Sequence, residues 1–339
     1  MRRPQLADIA LPKFRARGPW WGPDLQTLRN SFVAPRLDAT RYPEKRLTLP
    51  LADGSGDALV GLLQTPATAT GRPLAVLVHG LSGSEDSAYM IASARALLEE
   101  GYPVLRLNLR GAGPARPLCR YQYHAGRSED LRDALGSDAF ADPIRNGSGA
   151  LVLVGYSLGA NMLLKFLAEF GARFPIVGAC AISAPIDLEA ASYRFLHPRN
   201  AVYHWNLLRS MRRETLDDGG EVSDAEREAV TDAKSILEFD DRFVAPRNGY
   251  PDAAAYYADN MARRFLAEIS VPTLVIYARD DPWIPADTYT SYRWSDNPNL
   301  LPLLPKRGGH VGFHGHGSAI PWHDRCLLPF FDALGSHPG

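Results

Sequence analysis

Short apolar runs alternate with helix-length segments along most of this chain, and that alternation limits the possible folds more than any other feature. Leu74–Val78, Tyr102–Leu107, Leu151–Val154, Ile176–Ile182 and Pro272–Tyr277 are too short for buried helices. Apolar on both faces, they suit strands covered by helices on each side. Leu59–Leu63 reads as a further extended segment. Between the runs, Ser87–Glu100 ends at Gly101, a residue suited to closing a helix. Ser128 opens another helix, with Glu129 and Asp130 at its positive end. Ser157–Phe170 ends at Gly171. The pattern predicts an α/β fold with a mostly parallel central sheet and helices on both faces.

The rhythm is absent from the first 45 residues, which are rich in Arg, Pro and aromatics around Trp20-Trp21. They read as an arm laid over the body, because adjacent Trp side chains are costly to leave in water. It breaks again over residues 186–268, a polar, Arg-rich stretch with helix formers at Glu221–Phe239 and Asp252–Leu266. The predicted organisation is an arm at 1–45, a core at 46–185 and 269–339, and a helical cap inserted at 186–268. Lys and Arg total 37 against 38 Asp and Glu, a net charge of −1. That balance lacks the electrostatic footprint of a nucleic-acid binder. The three cysteines are scattered and form no C-x-x-C pair, as expected of reduced thiols in a cytoplasmic protein.

Gly155-Tyr156-Ser157-Leu158-Gly159 carries the sharpest chemical signal. A strand precedes it and a helix follows, the context of a nucleophile elbow. Such a turn pushes the serine hydroxyl into the open, and the helix N-terminus offers unpaired N–H groups to developing negative charge. A serine hydroxyl needs a base near neutral pH. His310, in Gly308-Gly309-His310-Val311-Gly312-Phe313, follows the short apolar stretch at 300–304 and belongs on a loop past a strand end. Asp281, just after the Pro272–Tyr277 run and next to Pro282, is the expected partner of His310, with Asp280 as its rival. The order Ser157, Asp281, His310 is that expected on a hydrolase sheet. His79-Gly80-Leu81-Ser82-Gly83 follows the Leu74–Val78 run. The backbone N–H groups of Leu81 and Leu158 are the expected oxyanion donors, with His79 holding the loop. Tyr156 and Trp283 are candidate substrate contacts, and Trp20 and Trp21 either line an acyl pocket or pack the arm.

Taken together these segments resemble the α/β-hydrolase superfamily and, within it, the YheT-like branch, or AB hydrolase 4 family. Asp24-Leu25-Gln26-Thr27-Leu28, Asn108-Leu109-Arg110-Gly111, Tyr123-His124-Ala125-Gly126, Glu238-Phe239-Asp240-Asp241 and Tyr256-Tyr257 extend the likeness over residues of about 20 to 315. The resemblance implies an α/β-hydrolase fold with an inserted helical cap, Ser157 as nucleophile, Asp281 as acid and His310 as base. It also implies serine esterase activity on a small-molecule carboxylic ester, with no cofactor and no metal. Some eukaryotic members act on phospholipids or acylglycerols behind an N-terminal membrane anchor. Here Met1–Gln5 leads into no apolar segment and no run of about 18 apolar residues occurs, so no stable membrane insertion is expected. Pro114-Ala115-Arg116-Pro117 departs from the family pattern where more polar residues are expected.

Other chemistries weigh less. His310, His314, His316 and His323 cluster in sequence, but interspersed glycines oppose a helix, and neither carboxylate nor thiol stands beside the first three. Thioesterase, amidase or phospholipase-type chemistry would use the same three residues on another leaving group. A non-enzymatic receptor on this fold is disfavoured because all three positions hold competent residues. Short- to medium-chain acyl esters are the expected substrates, because no exposed amphipathic helix for a lipid interface stands out.

Overall fold

A computed structural model describes residues 6–33, 35–68, 70–145, 148–217 and 221–335. The apolar runs become the centre of an eight-stranded sheet: β1 (Glu44–Pro50), β2 (Ala58–Gln64), β3 (Leu74–Val78), β4 (Val104–Asn108), β5 (Leu151–Tyr156), β6 (Ile176–Ile182), β7 (Thr273–Ile276) and β8 (Leu300–Leu303). Their spatial order is β1-β2-β4-β3-β5-β6-β7-β8. β1 and β2 pair antiparallel, as do β2 and β4; the other pairings are parallel. This is the α/β-hydrolase fold.

Strand alternation divides the core between two faces. Leu74, Val76 and Val78 of β3 and Leu151 and Leu153 of β5 pack with the helices Ser128–Gly136 and Leu158–Glu169. Ala75, Leu77, Val152, Val154 and Tyr156 face the other way, against the helices Ala88–Glu99 and Trp322–Gly335. Gly101 takes a left-handed φ of 85° after the first of those two helices, as its C-terminal placement requires.

Between β6 and β7 the chain leaves the sheet for a helical excursion: Leu188–Phe195, Ala201–Leu216, Asp224–Asp232, Ile236–Phe239 and Ala253–Asn260. The stretch Glu221–Phe239, rich in helix formers, holds two helices. Its first part closes at Ala233, and Ser235 restarts the chain by accepting the Glu238 N–H. The departure at Pro114–Pro117 forms a short helical turn with Ala115 and Arg116 buried. Arg116 donates to the backbone carbonyls of Thr215 and Asp217, tying that turn to the excursion. Among the described residues no helix is long and apolar enough to cross a membrane.

One buried cation organises the edge of the sheet that leads to the site. Arg110, 1% exposed, donates to Asp130 at 2.7 and 3.0 Å, to Asp57 at 3.1 Å and to Asp53 at 2.7 Å. Asp57 also accepts the N–H groups of Arg120 and Tyr121. Replacing Arg110 by Met strips the buried carboxylates of Asp57 and Asp130 of the guanidinium that bridges them. The expected result is a loss of about 3–5 kcal/mol in stability, read as a lowered urea midpoint. An unchanged midpoint would contradict it.

Candidate active site

Ser157 stands between β5 and the helix Leu158–Glu169 with φ 51° and ψ −122°, a conformation rarely adopted by a residue with a side chain. The flanking glycines are demanded by close approach. A Cβ on Gly159 would lie 2.1 Å from the His79 carbonyl oxygen, and one on Gly155 would lie 2.8 Å from the Ala160 Cα. With those contacts bare, β5 can pass directly into the helix, and Ser157 faces a cavity.

His310 reaches Ser157 from the loop after β8. Its Nε2 lies 2.9 Å from Ser157 Oγ and its Nδ1 lies 2.8 Å from Asp281 Oδ2. Asp281 Oδ1 accepts the N–H groups of Trp283 and Ile284 at 2.8 and 3.2 Å, so the carboxylate is fixed in orientation. A carboxylate only accepts, which places the ring proton on Nδ1 and leaves the Nε2 lone pair for the serine hydroxyl. Asp280 turns elsewhere: its Oδ1 accepts the Gly309 N–H at 3.0 Å, and burial raises its carboxyl above the usual range.

The loop is anchored from both sides. The His310 N–H donates to Thr27 Oγ1 at 2.9 Å and the Val311 N–H to Ser183 Oγ at 3.1 Å. The Trp283 ring lies over the His310 ring with centroids 4.2 Å apart. Thr27 belongs to the helix Pro23–Phe32 of the N-terminal segment, where Gln26 also bonds both backbone groups of His314. Sequence marks neither role: Thr27 stands in the family-like segment Asp24–Leu28 with nothing to suggest that contact, and Ser183 is one hydroxyl among many.

The Leu81 and Leu158 backbones flank Ser157. Leu158 is the first residue of its helix, so its N–H has no intrahelical acceptor. Among the described residues the Leu81 N–H likewise has no acceptor. Its loop is clamped on both sides, since the Gly80 N–H donates to Tyr89 Oη at 3.0 Å and the Ser82 N–H to Tyr123 Oη at 2.7 Å. His79 is buried, and desolvation lowers its pKa to about 4. Its Nε2 accepts the Leu109 N–H, so its Nδ1 donates to the Gly80 carbonyl. It is therefore a neutral strut beneath the loop.

A cavity of about 250 Å³ opens over Ser157 and His310. Its walls are mostly apolar, with Leu188, Phe195, Leu207, Ile236 and Trp283 among them, and Ser31 is the one exposed lining residue. Trp283 thus meets the space a substrate would fill. Tyr156 does not, which corrects the sequence expectation. Alternation sends its ring to the opposite face of β5, where it is fully buried and its hydroxyl bonds Ser93 Oγ at 2.6 Å. Trp20 and Trp21 also stay out of the cavity, and Trp21 is 64% exposed. His314 joins the N-terminal helix instead of a metal, through Arg29 at 2.9 Å and Asn30 at 3.2 Å. Among the described residues no group of three or more His, Cys, Asp or Glu is placed to hold a metal ion.

Residues 75–320 match the family described as Alpha/beta hydrolase family. YheT of Escherichia coli (strain K12) is 32% identical over 302 residues, which cover 86% of this chain and 84% of that protein. Phospholipase ABHD3 of Mus musculus is 28% identical over 273 residues, and monoacylglycerol lipase of Saccharomyces cerevisiae is 27% identical over 271. The chain spans 66% and 59% of the lengths of those two relatives. Among solved structures, the Pyrococcus furiosus esterase Pf2001 superposes with a TM-score of 0.58 at 16% identity, covering 88% of this chain and 94% of that one. 2,6-dihydroxy-pseudo-oxynicotine hydrolase gives 0.58 at 15%, covering 92% and 72%. At such identities the likeness is one of fold.

Proposed function

The chain belongs to the alpha/beta hydrolase family, and from that premise we propose that it is a carboxylic ester hydrolase working through Ser157, His310 and Asp281. The observation that carries this reading is the continuous relay, 2.9 Å from Ser157 to His310 and 2.8 Å from His310 to Asp281, at the floor of an apolar cavity. Relatives named as a phospholipase and as a monoacylglycerol lipase support ester bonds as the target.

Ser157 Oγ attacks the ester carbonyl carbon while His310 Nε2 takes its proton. Asp281 stabilises the imidazolium that results. The carbonyl oxygen gains negative charge and turns to the N–H groups of Leu81 and Leu158, neither of which has another acceptor among the described residues. As the tetrahedral intermediate collapses, His310 hands its proton to the departing alkoxide and an acyl-Ser157 ester remains. Water then enters, His310 removes its proton, and the second tetrahedral intermediate releases the acid and restores the hydroxyl. The helical excursion over residues 186–268 acts as the cap that closes the acyl side.

Cavity size bears on chain length. At roughly 30 Å³ for each water-sized group, 250 Å³ holds about eight methylenes. A series of p-nitrophenyl esters from C2 to C16 is therefore expected to peak near about C8 and to fall at C16. A maximum at C16 would overturn the short- to medium-chain assignment while leaving the hydrolase reading intact.

A further inference from the structure

Eleven large apolar side chains are exposed among the described residues, and eight of them stand in two short stretches, 21–33 and 193–205. The first stretch holds the helix Pro23–Phe32, which is built inside out. Its buried residues are Gln26 and Thr27, the two that fasten the backbone of His314 and His310. Trp21, Leu25, Leu28 and Phe32 follow helical spacing on the opposite side, where Trp21 and Leu25 are exposed and Phe32 is 74% exposed. An apolar stripe in a sequence reads as the side that faces the core. For that reason the sequence shows no exposed amphipathic helix suited to a lipid interface, and the structure corrects that expectation.

The second stretch runs into the helix Ala201–Leu216. That helix buries Leu208, Met211 and Thr215, while Val202, Trp205, Arg209 and Arg213 share its outer face. Val202 is 78% and Trp205 62% exposed, and the Arg209 guanidinium lies 5.4 Å from the centre of the Trp205 ring system. The two helices are tied together at Asp24, which accepts from Arg199 Nη2 at 2.9 Å and from Tyr203 Oη at 3.0 Å. Both also supply the wall of the acyl cavity, through Asn30 and Ser31 on one helix and Leu207 on the other. The exposed lining residue Ser31 adjoins Phe32. Charge follows the same stretches. Between Asp8 and Asp38 the chain has five basic residues and one acid, Asp24; between Glu189 and Glu214 it has five basic residues and no acid. The whole chain, by contrast, carries a net charge of −1.

We propose that this face, formed by Trp21, Leu25 and Phe32 with Val202 and Trp205, seats the protein on an anionic lipid surface, with the mouth of the acyl cavity turned toward it. The proposal concerns where the protein sits and goes beyond the ester hydrolase reading. It needs no spanning helix, since a face of this kind lies at the boundary between headgroups and acyl chains. Tryptophan suits that boundary because its ring is apolar and its N–H is not. Arginines beside the rings meet the lipid phosphates, and an apolar patch of this concentration is costly to leave in water. A second copy of the chain fits the face less well. A two-fold contact would set the basic stretches against themselves and cover the cavity mouth at Ser31.

The test is co-sedimentation of the full chain with two kinds of vesicle, phosphatidylcholine alone and phosphatidylcholine mixed equally with phosphatidylglycerol. Binding to the mixed vesicles is expected to exceed binding to phosphatidylcholine by at least about tenfold, since each arginine near the surface contributes about fivefold. It should weaken as salt is raised. Phe32→Glu combined with Trp205→Glu should lower binding to the mixed vesicles by at least about tenfold, the scale of withdrawing two aromatic side chains from an apolar phase. Turnover of a soluble p-nitrophenyl ester by that variant should match the unaltered protein. Absence of binding to the mixed vesicles overturns the proposal, as does equal binding to the two lipids or binding that survives in the double variant. A dimer in solution that the double variant splits into monomers overturns it as well, because the face then belongs to a second copy. Should the double variant not fold, Trp205→Glu alone, on the outer face of its helix, decides. Co-sedimentation reads no hydrolysis, so its failure leaves the ester hydrolase reading standing, and an inactive protein that still binds leaves the lipid face standing.

Discussion

Ser157→Ala is expected to lower kcat on the best p-nitrophenyl ester by about 10⁶-fold, the scale seen when a nucleophile is removed from a cooperating set. The chain should still fold. Ser157 joins the sheet through its backbone N–H, which donates to the Ile182 carbonyl at 2.9 Å, and its side chain bonds only His310 among the described residues. Alanine preserves the backbone bond and leaves the elbow equally strained. The variant should therefore unfold at a similar temperature by circular dichroism. Residual turnover would come from binding and from the Leu81 and Leu158 donors. Adding His310→Ala should cost little more, since the two residues act as one unit. A folded Ser157→Ala protein within tenfold of normal kcat would sink the assignment of Ser157.

Asp281→Asn should cost about 10⁴ in kcat, and the reason is geometric. Asp281 Oδ1 is held by two backbone N–H groups, which only an acceptor can satisfy. An asparagine must keep its carbonyl oxygen there and turn its NH₂ toward His310. The imidazole then has to accept at Nδ1 and carry its proton on Nε2, so it can no longer take one from Ser157. Asp280→Asn makes the useful contrast. That carboxyl accepts the Gly309 N–H and makes no bond to the His310 ring, and an amide oxygen can accept the same N–H, so the expected loss is below tenfold. Equal losses in the two variants, or a larger one at position 280, would contradict the choice of Asp281.

The inner strands are readable from sequence because burial on both faces forces unbroken apolar runs, as in Leu74–Val78 and Leu151–Val154. β1 is different. Its pattern Glu44-Lys45-Arg46-Leu47-Thr48-Leu49-Pro50 buries only Leu47 and Leu49, as befits a solvated edge strand with antiparallel pairing, and composition alone does not flag it. The elbow is legible because the contacts at Gly155 and Gly159 tolerate no side chain. Tyr156 shows the limit. Its neighbour Ser157 faces the cavity, but the pleat sends the Tyr156 ring to the far side, and adjacency in sequence misleads about adjacency in space.

The tether between Thr27 and the His310 backbone joins positions 283 apart. A ribosome working at about 5–20 residues per second makes them roughly 15 to 60 s apart. For the second half of that interval the growing polypeptide holds the elbow but lacks the imidazole, and the imidazole, once made, still needs a segment synthesised long before it to seat it. Reactivity thus arrives only after His310 has been made, and a product terminated before that residue is chemically silent.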